Sequence, residues 1–350
     1  MTGELALITG VSGHIGFRVL AEALKAGYRT RAVVRTASHV EKIKSTASVM
    51  PFLSQLDFAI IPDLGADHAF DVHIHGVSCT IHVAAPQFTS TDVPISVADF
   101  AAPTIKFTKN ILEAASKASS VKRVVITSSI TTLLTGEGIQ GNSDIVYNFQ
   151  SPVAKDLVSP PPKEAVGPVA YVISKVLSTQ LVLEYVATTR PRYSVVNILP
   201  GTTIGRSELA SDFKELMSGS NIVALAPLIG VSLPPVHSVV SHIDDVAVAH
   251  VKALDIDVIP GTIGNILPIV NTAANPDAFT WDDIVNIVKS KFPAAIEGNV
   301  FPLEGTVPKL KTLVDTSEDE KVPGIKFKTY EEAVVGLIGQ FLQLAQTAGK

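Results

Sequence analysis

Tyr171 and Lys175 stand four residues apart at the start of an apolar run with helical patterning, Tyr171-Val-Ile-Ser-Lys175. That spacing puts a phenol and an ammonium on one helix face. A cation beside a phenol lowers its pKa from the reference of about 10 and makes it a usable proton donor near neutral pH. Far upstream, Thr9-Gly10-Val-Ser-Gly13-His14-Ile15-Gly16 follows a strand pattern and opens a helical one. Glycines in that context let the backbone close on a pyrophosphate, whose charge a helix amino terminus favours. Each feature alone also has a bland reading, a chance pair on a helix or a plain structural turn. In this order on one chain, they point to a bound nicotinamide dinucleotide and the reduction of a carbonyl.

The elements needed to bring these groups together are legible as alternating apolar runs. Strands are predicted at Leu5–Thr9, Thr30–Val34, Leu56–Ile61, Ser78–Val83, Arg123–Thr127 and Ser194–Leu199. Helices are predicted at His14–Ala26, Ile95–Ala118, from Tyr171 onward, at His242–Leu254 and at Trp281–Lys291. Near-continuous apolar strands separated by helices predict an α/β fold, a doubly wound parallel sheet of the Rossmann type covered on both faces. Ligands then belong at the carboxyl ends of the strands. Residues 1–200, with about 237–270, are expected to form the dinucleotide-binding domain. About 201–236 and 271–350 are expected to form a smaller, discontinuous substrate-binding lobe. Residues 136–168, rich in Gly, Asn, Ser and Pro, read as a long surface loop of functional rather than idle kind.

Composition narrows the class. The chain has 350 residues, 46% apolar and 17% charged, so a large packed core is expected. A net charge of −5 with no basic stripe argues against a nucleic-acid partner. The single cysteine, Cys79, leaves no intramolecular disulfide and is expected to be buried. His73 and His75 form an H-x-H without further ligands, so no metal is expected. Glu4 interrupts the first apolar segment, which runs straight into the glycine loop, so a secretory signal is not expected. Residues 222–236 carry no charge but hold three prolines and a glycine. A membrane span is not expected there; a lipophilic wall over a pocket and plain hydrophobic core are both open readings. A soluble cytoplasmic enzyme is the simplest class.

The glycine spacing G-x2-G-x2-G, with the motifs that follow in order, resembles the extended short-chain dehydrogenases/reductases. Within them it is similar to the dihydroflavonol reductase-like, aldehyde and carbonyl reductase branch. The resemblance implies a phosphate loop at Gly10, Gly13, His14, Ile15 and Gly16. The second strand ends in Arg35 where an NAD site would offer Asp or Glu, and its forked donors suit a 2′-phosphate. In this branch an Arg and a Lys with the spacing of Arg35 and Lys42 serve that role, so NADPH/NADP+ is the expected cofactor. Asp63-Leu64 resembles the adenine-contacting segment, and Val83-Ala84-Ala85 the segment that passes under the cofactor. Thr127 ends the fifth strand, and the family's T-S-S pattern puts the catalytic serine at Ser129, with Ser128 as the alternative. Pro200-Gly201-Thr202-Thr203 resembles the segment lying against the nicotinamide, although Asn197 is followed by Ile-Leu-Pro where the family usually has N-P.

The resemblance assigns Ser129 to the substrate carbonyl, Tyr171 to proton donation, and Lys175 to the cofactor's ribose and the phenol. Pro86, Phe88, Ser129 and Tyr171 are the expected substrate contacts. The expected activity is NADPH-dependent reduction of a neutral, fairly apolar aldehyde or ketone. Two alternatives stay open: an epimerase or dehydratase of the same family, and a non-catalytic NADP(H)-sensing protein. The chain is expected to be a monomer or a homodimer, with a small-molecule carbonyl substrate as its partner.

Overall fold

The computed structural model describes residues 3–87, 93–261, 263–266 and 280–348. Seven parallel strands make the central sheet: β1 Leu5–Thr9, β2 Arg29–Val34, β3 Leu56–Ile60, β4 Cys79–His82, β5 Arg123–Thr127, β6 Ser194–Ile198 and β7 Ile263–Ile266. Their order across the sheet is β7-β6-β5-β4-β1-β2-β3. The chain winds outward from β1 to β3, then returns to the far side of β1 with β4. The carboxyl ends of β1 and β4 therefore flank the crevice where the winding reverses, the place such sheets bind ligands. This is the doubly wound α/β architecture expected from the apolar runs.

Helices cover both faces. α1 (His14–Lys25) lies on one face beside a helix at Ile243–Lys252. α2 is Ala37–Lys44, and on the other face lie α3 (Val97–Lys117) and α4 (Gly167–Thr189). The Ile243–Lys252 helix is α5. Side chains alternate along the strands as the pleat requires. In β1, Ala6 and Ile8 join the core under α1 and α5, while Leu7 joins the core under α3 and α4. Cys79 is buried, and burial pushes its thiol up to about 12.

A separate apolar core belongs to the second lobe. Trp281, Ile284 and Val288, at and in α6 (Asp283–Lys291), pack on Leu337, Ile338 and Phe341 of α7 (Tyr330–Ala348). Leu216, Ala224, Leu225 and Leu228 complete it. The uncharged stretch 222–236 thus supplies core in its first half, while Val231 is exposed.

Two segments differ from the local reading. The stretch 136–168 is not a bare surface loop: Val146–Tyr147 pairs in parallel with Leu313–Val314, and Glu164–Val166 pairs antiparallel with Pro94–Ser96. Tyr147 is buried there among Leu133, Leu134, Leu199 and Val314. Partners 167 residues apart in the first pair and 68 to 72 in the second leave no local period to read. For the same reason α3 starts at Val97 rather than Ile95: Pro94–Ser96 is strand, and Ser96 Oγ caps the helix by accepting from Asp99 N at 3.2 Å.

Candidate active site

The glycine loop is shaped by contacts that exclude side chains. Gly10 has φ +75°, and a Cβ there would stand 2.8 Å from Ala84 N. A Cβ on Gly16 would stand 2.1 Å from the Gly10 carbonyl oxygen. Gly13 caps α1, and its N–H donates to the Gly10 carbonyl at 3.0 Å. Thr9 locks the loop to the end of β4: its hydroxyl accepts from Val83 N and Ala84 N at 3.1 and 3.2 Å. Ile15 packs against the adjoining core, while the His14 ring reaches the backbone of Gly205 and Arg206. Burial pushes His14 down to about 4, outweighing the upward pull of the Arg206 and Gly205 backbone, so the ring is neutral. A backbone cradle at a helix amino terminus, too tight for any Cβ, fits a dinucleotide's phosphates.

The proposed chemical groups meet at the carboxyl edge of β5. Ser128 N donates to the Ile198 carbonyl at 2.8 Å and Ile130 N to the Pro200 carbonyl at 3.1 Å, which clamps Ser129 between them. Ser129 Oγ accepts from Thr131 N and Thr131 Oγ1 at 3.3 and 2.9 Å. Its own proton is then available to the phenol oxygen of Tyr171, with which it is hydrogen-bonded. Ser128 faces the other way and pairs with Thr179 Oγ1 at 2.9 Å inside the sheet–α4 contact. The structure therefore brings Ser129, not Ser128, to the phenol.

Tyr171 and Lys175 are one turn apart near the start of α4, a helix begun by Gly167-Pro168. Lys175 is buried and donates from Nζ to the Thr127 carbonyl at 3.0 Å; the ammonium lies 5.8 Å from the Tyr171 ring centroid. Burial pushes Lys175 down to about 8. Burial also raises the Tyr171 phenol, against the lowering by the Ser129 hydrogen bond. The expectation that Lys175 holds the phenol down is thus not met: burial sets the direction, and Ser129 supplies the lowering. Among the described residues α4 alone is long and apolar enough to cross a membrane. Here its apolar face packs along α3 and on the sheet, and it carries Tyr171 and Lys175.

The other expected residues fall around this centre. Thr127 is buried, its hydroxyl bonded to His250 Nε2 at 2.7 Å, so its carbonyl rather than its side chain faces the site. Val83, Ala84, Ala85 and Pro86 run out of β4 beside the glycine loop, partly exposed. Phe88 lies outside the described residues. Arg35 ends β2 exposed, without a hydrogen-bond or ion-pair partner among the described residues. Lys42, by contrast, is 2.6 Å from Glu215 Oε1 of the second lobe, so its charge is already paired. Asp63 Oδ1 accepts from Gly65 N at 2.7 Å, and buried Leu64 offers its carbonyl to Asn110 Nδ2 at 2.8 Å. Asn110 thereby ties α3 to the loop after β3, a structural task. Gly201 has no room for a Cβ, which would stand 2.5 Å from the Val239 carbonyl, and its N–H donates to Ser241 Oγ at 2.9 Å. Pro200 precedes it, and Thr202 and Thr203 enter a short strand paired with Val240–His242.

Reading the sequence missed the residues that brace the site. His250 holds Thr127, Thr179 holds Ser128, and Asn221 grips Gly205 at both N–H and carbonyl, each at 3.0 Å. None has a local signal, because each acts across more than 15 residues of chain.

A parallel sheet whose reversal point holds a glycine cradle beside a serine, a tyrosine and a lysine defines a nucleotide-dependent oxidoreductase-type site. The chain belongs to the NAD dependent epimerase/dehydratase family, whose model matches residues 6–266. Ketoreductase CTB6 of Cercospora nicotianae is 30% identical over 99% of this chain and 97% of its own. The protein named NAD-dependent epimerase/dehydratase ALT6, of Alternaria alternata, is 33% identical over 98% of this chain and 99% of its own. Among solved structures, Gre2 of Candida albicans in complex with NADPH superposes with a TM-score of 0.80 at 19% identity, covering 97% of this chain and 99% of the other.

Proposed function

We propose that the protein is an NADPH-dependent reductase of a neutral, fairly apolar aldehyde or ketone, with Tyr171 as proton donor. The meeting of the Ser129 hydroxyl with the Tyr171 phenol, one turn from Lys175 and beside the glycine cradle, carries this reading. The relative named a ketoreductase and the Gre2 complex with NADPH support it. Arg35, exposed at the end of β2 and without a partner among the described residues, supports NADPH over NADH. When bound, the reduced nicotinamide supplies the hydride.

The chain's own groups do the rest. Ser129, held from behind by Thr131, turns its proton from the phenol to the substrate's carbonyl oxygen and orients it. As charge builds on that oxygen, Tyr171 delivers its proton. Lys175 stays cationic below about pH 8 and supports the phenolate left behind. Carbonyl, hydride and proton together make the alcohol. The cytoplasmic location belongs to the same proposal, as does the monomeric or homodimeric state.

Residues 222–236 bring no charge to the second lobe, and Arg206 is the nearby exception, which supports a neutral substrate. Following NADPH absorbance over a panel of carbonyl compounds tests this. Steady consumption with neutral, apolar aldehydes or ketones is expected. A strong preference for anionic or nucleotide-sugar substrates would contradict it, and cofactor recycling without net consumption would favour the epimerase or dehydratase reading.

A further inference from the structure

His82 closes β4 just before the Val83–Ala85 segment, and its ring is 3% exposed. The Thr9 hydroxyl already accepts from two backbone amides, so its own proton points to His82 Nδ1, 2.9 Å away. Nδ1 is then the acceptor nitrogen and Nε2 carries the hydrogen. Burial, with the charge of Lys175, pushes the ring down to about 3, which keeps it neutral. Nε2 itself is buried and has no partner among the described residues. Buried donors in native proteins are paired, and where no protein group serves, an ordered water does.

The ring lines a small cleft on the α3–α4 side of the sheet, shared with Lys175, Thr108, Ser178 and Thr179. The hydroxyls there are already matched: Thr108 with Ser178 and Thr179 with Ser128, both at 2.9 Å. Lys175 uses one of its three donors on the Thr127 carbonyl. Two kinds of donor, an imidazole N–H and an ammonium, therefore line one polar cleft whose hydroxyls are engaged with one another. A water molecule accepts from both and returns its hydrogens to the hydroxyl oxygens of the wall.

We propose that His82 is a positioning residue for Lys175: through one water held in this cleft, it fixes the ammonium from behind. The inference rests on the reductase reading for its role in turnover. The titratable groups facing Lys175 are Tyr171 on its own helix and His82 from β4; His250 of α5 stands beyond Thr127. An acceptor at the ammonium favours the charged form against burial. Losing it moves the alkaline limb of kcat, which follows the lysine's proton, to lower pH.

His82→Phe keeps the ring and removes both nitrogens, whereas His82→Gln restores an N–H of similar reach. The alkaline limb is expected to move down by about one pH unit in His82→Phe and to return most of the way in His82→Gln. A crystal structure of the unaltered protein is expected to place a water within hydrogen-bond distance of His82 Nε2 and Lys175 Nζ. A cleft without that water, or a His82→Phe enzyme whose rate falls with its alkaline limb in place, overturns the proposal and leaves the reductase reading standing. A water bridging the two in a protein that reduces no carbonyl compound supports the proposal's geometry and overturns the reductase reading.

Discussion

Ser128 and Ser129 are adjacent in sequence and have opposite tasks. Ser128 is matched to Thr179 inside the sheet–α4 contact, while Ser129 meets the phenol. Ser129→Ala is expected to lower kcat by about 10- to 100-fold, the scale of one lost transition-state hydrogen bond. Ser128→Ala is instead expected to cost about 1 kcal/mol of stability, measured by denaturant unfolding. The two charges read as a phosphate pair also part company. Arg35 has no partner among the described residues, whereas Lys42 is 2.6 Å from Glu215. Arg35→Leu is expected to weaken NADPH by about 10- to 100-fold, the worth of a charged hydrogen bond, and NADH by far less. Equal weakening of both in a fluorescence titration would show that the guanidinium does not read the 2′-phosphate. The lysine's partner could not be seen in the sequence: it lies on another lobe, 173 residues away.

At the scale of elements, strands and helices with their own apolar period were legible to within two residues, from β1 to α5, α2 and α4 excepted. So was the order of motifs at the carboxyl ends of the strands. Elements whose reason for existing is a distant partner were not legible, as with Val146–Tyr147 on Leu313–Val314. The glycine loop belongs to the first kind, since its spacing sits between a strand and a helix. Gly16→Ala is expected to abolish NADPH binding, because its Cβ would stand 2.1 Å from the Gly10 carbonyl; isothermal titration reads this directly. The acidic start of α5 shows a second lesson. Asp244, flanked by Arg18 and Lys328, is held down at about 2, whereas burial raises its neighbour Asp245 to about 6. Asp244 stabilises the fold above the usual carboxylate pKa and loses this as the pH falls toward 2. Asp245 has the reverse sign: its ionisation opposes folding as the pH rises from about 4 to about 6. Asp245→Asn keeps an acceptor for Lys328 N, so it is expected to stabilise the protein by on the order of 1–2 kcal/mol at pH 7.5 and by little at pH 4. Equal melting shifts at both pH values would contradict that origin.

At the scale of the molecule, the parallel sheet has its cores on both faces and a further apolar core gathers around Trp281. Trp281 is fully buried in that core, and Trp281→Ala is expected to cost about 3–5 kcal/mol in unfolding. The separate apolar cluster around Trp281 is built from segments far apart in the chain, so its stitching was not legible. The pairing of Val236–His237 with Lys309–Leu310 joins segments that carry no sign of one another. What binds these scales together is the use of one phenol as the proton source. Turnover and binding measured side by side in Tyr171→Phe test this most directly, because that change removes a single oxygen. NADPH consumption with a carbonyl substrate is expected to fall by about 100-fold or more while NADPH affinity stays within a few-fold of the unaltered protein. Undiminished consumption in that variant would contradict the mechanism outright.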